Sequence, residues 1–75
     1  MTNLNKEEKL IEFISFCIEN YKVKYGLKGK EVSELFKEKG VIKFLTEGYE
    51  ILHTQSKDYI IDEIQSYIKN RSENR

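Results

Sequence analysis

The chain has 75 residues, of which 39% are hydrophobic and 35% charged, with 13 bases balancing 13 acids, one cysteine and no proline. That length suits a single domain, and such a domain buries only about 60% of its unfolded surface. The composition is that of a soluble helical domain rather than a disordered chain. Zero net charge denies it the general positive field of a nucleic-acid binder, and a lone cysteine excludes an internal disulfide. No apolar run approaches the roughly 18 residues of a membrane span, and no export signal opens the sequence, so a cytoplasmic location is expected.

Asn5-Lys6-Glu7-Glu8 has the form of a helix start, with Asn5 as cap and Glu8 placed to reach back to it. Helical spacing then puts Leu10, Ile11, Phe13, Ile14, Cys17, Ile18, Tyr21 and Tyr25 on one broad stripe, which predicts a first helix over 6–25 that Gly26 stops. Cys17 lies among apolar neighbours and reads as a small buried hydrophobe. Phe16 and Val23, two turns apart, fall on the far side with Glu12 and Glu19. Such a pair marks a subunit or partner contact, unless a terminal arm or the last helix covers it.

Val32, Leu35 and Phe36 give a short amphipathic helix over 30–39, which Gly40 ends in the position expected of a left-handed residue. Val41, Ile42, Phe44, Leu45, Tyr49, Ile51 and Leu52 then cover about half the circumference of a third helix over 41–53, and that width predicts the central helix. Gly48 sits in its apolar arc, where a helix crossing closely would explain the missing side chain. The six residues from His53 to Asp58 are all polar and make a corner. His53, Thr54, Gln55 and Asp58 form either a small polar site there or a set of caps, in which Thr54, Ser56 or Asp58 starts the next helix and His53 bonds the end of the previous one. A last helix over 57–70 buries Ile60, Ile61, Ile64, Tyr67 and Ile68, and residues 72–75 are expected to fray. The expected fold is all-α: one domain over 1–75, with a core at about 6–70, built as a compact bundle of four helices (long, short, central apolar and C-terminal). A core this small gains stability by self-association.

No motif carries chemistry. Zinc needs about four ligands, and the chain offers Cys17 and His53 on separate elements. Gly26 and Gly29 lack the residues of a phosphate loop, and Ser33, Thr54 and Ser56 have no triad company beyond His53. Neither a catalytic set, a cofactor nor a metal is expected. Residues 22–43 carry seven lysines against three acids, between flanking segments that are each net acidic by two. Lys22, Lys24, Lys28, Lys30, Lys37, Lys39 and Lys43 therefore make nucleic-acid binding the alternative function, with helices two and three as a helix-turn-helix. The reading face would be Lys43, Thr46, Glu47 and Glu50, which is poor in base-reading side chains.

The chain carries, in order, Phe16-Cys17-Ile18-Glu19-Asn20-Tyr21, Gly29-Lys30-Glu31-Val32 with Leu35-Phe36, Gly40-Val41-Ile42 with Phe44-Leu45, Tyr49-Glu50-Ile51-Leu52-His53-Thr54-Gln55 and Tyr59-Ile60-Ile61-Asp62-Glu63-Ile64. In this it resembles the short bacterial domains of domain-of-unknown-function family 3791, over roughly residues 10 to 69, with the Leu-His-Thr-Gln stretch the most specific part. The resemblance implies a small helical bacterial protein without established activity. It also implies an accessory or antitoxin-like role beside a protein resembling ADP-ribosyltransferase toxins. The expected function is a non-enzymatic module that binds a protein partner or a second copy of itself, through Phe16, Val23, Glu12 and Glu19 and the His53 to Asp58 corner.

Overall fold

The computed structural model describes residues 5–73, and among them all regular structure is helical. Helix α1 (Lys6–Tyr25) starts on the expected capping box: Asn5 Oδ1 accepts from the Glu8 backbone N–H at 2.8 Å, and Glu8 Oε1 accepts from the Asn5 N–H at 3.0 Å. It ends at Gly26, whose φ of +63° turns the chain so that the Leu27 N–H reaches the Lys22 carbonyl at 3.0 Å. Helix α2 (Gly29–Glu38) is closed by Gly40 at φ +74°.

Beyond Gly40 the structure departs from the expected third helix. Two short helices, α3 (Val41–Glu47) and α4 (Tyr49–Leu52), replace it, joined at Gly48 with φ −96° and ψ 6°. With α5 (Lys57–Glu73) there are five helices among the described residues rather than four. The Gly48 N–H still reaches the Phe44 carbonyl at 2.9 Å, and the Leu52 N–H reaches the Gly48 carbonyl at 2.8 Å. The bend therefore sacrifices little hydrogen bonding, which is why an uninterrupted apolar pattern did not betray it. Nor does a crossing helix account for Gly48. A Cβ there would meet Leu52 Cδ1 at 3.0 Å and the Phe44 carbonyl oxygen at 3.2 Å, both from its own neighbourhood.

The core is formed by Phe13, Cys17 and Tyr21 of α1, Val32 and Phe36 of α2, Val41 and Leu45 of α3, Leu52 of α4, and Ile60, Ile61, Ile64 and Ile68 of α5. Short α3 is central as expected, touching each of the other four helices. Phe13 meets the Tyr49 ring edge-on at 5.3 Å, and Phe44 stacks on Tyr67 at 4.3 Å, so aromatic pairs tie α1 to α4 and α3 to α5. The Tyr21 hydroxyl donates to Gln65 Oε1 at 2.6 Å, which ties α1 to α5.

Two of the expected stripes are too wide. Ile11 is 64% exposed and Ile51 is 70% exposed, and Tyr25 also faces solvent. The molecule measures 44 × 23 × 21 Å. With helices packing 8–10 Å apart, that cross-section holds about two layers, too few to cover an arc spanning half a helix. Helix α5 runs to Glu73, past the expected end at 70, and residues 74 and 75 lie outside the described residues. No helix among the described residues is long and apolar enough to cross a membrane.

Candidate functional site

One flank of α1 carries Lys9, Glu12, Phe16, Asn20 and Val23, at spacings of three and four residues that align them on a helix. Phe16 is 43% exposed and Val23 75% exposed, so neither joins the core. The Asn20 amide turns back onto its own helix, donating to the Phe16 carbonyl at 2.7 Å.

The 53–58 corner is built from caps. The His53 Nδ1–H donates to the Tyr49 carbonyl at 2.6 Å, and the imidazole stacks on the Tyr49 ring with centroids 4.4 Å apart and planes 7° from parallel. A carbonyl only accepts, so the hydrogen bond assigns the proton to Nδ1 and leaves Nε2 free of protein partners among the described residues. The Thr54 hydroxyl donates to the Ile51 carbonyl at 2.8 Å. Ser56 Oγ accepts from the Tyr59 N–H at 3.2 Å, which makes Ser56 the cap of α5.

Folding brings flank and corner together. A hollow of about 340 Å³ is lined by Lys9, Glu12, Phe13 and Phe16 of α1 with Tyr49, His53, Gln55 and Ile60. A second hollow, of about 220 Å³, lies further along α1 between Asn20, Val23 and Lys24 on one side and Lys57, Asp58 and Ile61 on the other. The two groups of residues picked from sequence, far apart in the chain, therefore share one surface. Glu12, Phe16, His53 and Gln55 wall the first hollow, and Val23 and Asp58 the second. Glu19 lies outside both and pairs with Lys22 Nζ at 3.2 Å, and Thr54 lines neither.

Sequence reasoning missed Lys9, Tyr49, Ile60, Asn20, Lys24, Lys57 and Ile61 as lining residues. Lys9 and Asn20 were within reach of it, since they sit seven residues before and four after Phe16. Nothing local marks the others.

Beyond the apolar floor the first hollow carries Lys9 and Glu12 at its wall, and the second carries Lys24 and Lys57 against Asp58. Among the described residues no group of three or more His, Cys, Asp or Glu side chains is placed to hold a metal ion. Burial pushes the Cys17 thiol up to about 12, so it is protonated at neutral pH and not a nucleophile there.

A small all-α domain with two hollows along one flank of α1 is what the fold and this surface define. The chain belongs to the family described as "Protein of unknown function (DUF3791)", whose pattern matches residues 12–71. No curated protein and no solved structure matches it.

Proposed function

We propose that the chain is a non-enzymatic interaction module whose partner is a protein, gripped along the α1 flank and the 53–58 corner. The observation that carries this reading is the exposure of Phe16 and Val23, two turns apart, each walling a hollow edged with polar and charged side chains. An apolar centre with a polar rim is the usual anatomy of a protein interface, and an aromatic anchor beside a pocket is its usual energetic focus. The antitoxin-like role implied by the family resemblance is the form of this proposal in which the partner is a different, toxin-like protein.

Nucleic-acid binding is less well supported. Lys22 is paired with Glu19, Lys24 Nζ lies 3.3 Å from Asp62, and the Thr46 hydroxyl is spent on the Ile42 carbonyl at 2.8 Å.

A photo-crosslinking amino acid placed at Val23, and separately at Lys37 on the outer side of α2, tests the reading in living cells. Protein adducts at Val23 and none at Lys37 are expected. Equal labelling at both positions, or nucleic-acid adducts in place of protein, would overturn it.

A further inference from the structure

Between Leu45 of α3 and Ile60 of α5 run 14 residues, and Leu52 is the only one of them that is buried. Gly48 and Tyr49 are half-buried, and the other 11 are exposed. Ordering a residue costs backbone entropy whether or not its side chain leaves water, so one buried leucine offsets the ordering of the whole stretch. Hydrogen bonds do not tie the stretch to the rest of the molecule. Among the described residues, every hydrogen bond of 48–56 joins groups no more than four positions apart, and no ion pair includes it. Against α1 it sets the Tyr49 ring, 5.3 Å from Phe13. Its one helix, α4, has four residues, and a single turn does not persist without packing, because the first turn is the costly one. The Tyr21–Gln65 hydrogen bond and the Lys24–Asp62 pair, which join α1 to α5, do not involve it.

Tyr49 also stands between two hollows. On one side is the hollow of about 340 Å³ walled by Phe13 and Phe16. On the other is a hollow of about 330 Å³, lined by Lys6 and Leu10 of α1 with Thr46, Glu47, Tyr49 and Glu50.

We propose that residues 49–55 are a strap that opens as one unit, hinged at Gly48 and Ser56, while α1, α2, α3 and α5 stay folded. Gly48 is the junction of α3 and α4 and gives α4 no side-chain cap. Ser56 stays behind with α5, whose Tyr59 N–H it accepts. Opening withdraws Leu52 from the core, and Tyr49, His53 and Gln55 from the first hollow. With Tyr49 gone, the two hollows join in one trough along α1, floored by Leu10 and Phe13. The first hollow is therefore complete only while the strap is shut, and the open population sets access to the trough. The strap needs no partner to open, so it stands or falls apart from the protein-binding reading.

Hydrogen exchange followed by NMR on the wild-type chain reads the opening directly. The Leu52, His53 and Gln55 amides are hydrogen-bonded at 2.8, 3.0 and 3.0 Å, so they exchange when those bonds break. They should share one protection factor, at least about tenfold below those of Cys17 in α1 and Ile64 in α5, with a shallower urea dependence. Protection equal to that of Cys17 and Ile64, with the full urea slope of global unfolding, would overturn the proposal. Three unrelated protection factors would overturn it too, since they would show piecemeal fraying.

Thiol labelling gives a second readout. Leu52→Cys with Cys17 retained places two buried thiols in one molecule, and Cys17 is fully buried. The thiol introduced at position 52 should react with a disulfide reagent at least about tenfold faster than Cys17. Equal rates would mean that position 52 opens only when the whole core does, and the strap would be wrong. The exchange measurement needs no substitution and decides the matter even if Leu52→Cys folds poorly.

Discussion

His53 closes α4, because its Nδ1–H adds a second hydrogen bond to a Tyr49 carbonyl already bonded by the His53 backbone N–H at 3.0 Å. Its ring also walls the first hollow, so His53→Ala should remove both a cap and part of the surface, whereas Ser56→Ala should remove only the cap of α5. Denaturant melts should show Ser56→Ala losing about 1 kcal/mol with partner binding intact, and a binding loss in Ser56→Ala would show that the corner's conformation itself is the recognition element. Gly40 is a second local test. Its φ of +74° disfavours any side chain, while an added Cβ would meet Tyr67 Oη at 3.5 Å and Arg71 Cζ at 3.6 Å, both ordinary contacts. Gly40→Ala should therefore cost about 1 kcal/mol through backbone conformation alone, and no change in the urea midpoint would contradict that. Cys17 links stability to pH. Its thiol is raised by burial from 9.0 to about 12, so folding favours the protonated form. That contribution is complete below pH 9, and it is lost as pH rises from there toward 12. Urea midpoints measured at pH 8 and pH 11 should fall further for the wild type than for Cys17→Ala, and equal falls would show the thiol to be solvated.

At the scale of elements, what the sequence made legible was local. The Asn5 box, the Gly26 and Gly40 terminations and the polar corner each depend on residues within five positions, and all stand in the structure as read. The break at Gly48 did not announce itself, since α3 and α4 continue one apolar period and the hydrogen bonds across the bend survive. On α4 Ile51 faces outward while its neighbour Leu52 stays buried. Ile51→Thr should accordingly leave stability within about 0.5 kcal/mol, and Leu52→Ala should cost about 2–5 kcal/mol; a large loss on Ile51→Thr in thermal melts would mean that the outer side of α4 is covered.

At the scale of the whole molecule, the sequence singled out the Phe16 flank and the His53 corner without relating them. Their juxtaposition depends on how α5 lies along α1, through the Tyr21–Gln65 hydrogen bond and the Lys24–Asp62 pair at 3.3 Å, and no short-range pattern encodes that packing. Counting charge by segment was equally blind to it, because acids and bases from α1 and from the 53–58 corner line hollows on the same flank. The central claim is that flank and corner form one protein-binding face. The most direct test places the photo-crosslinker at Gln55 in one variant and at Val23 in another and compares the adduct masses by mass spectrometry. The same partner mass from both positions is expected; adducts of different mass, or adducts from only one of the two, would contradict the account.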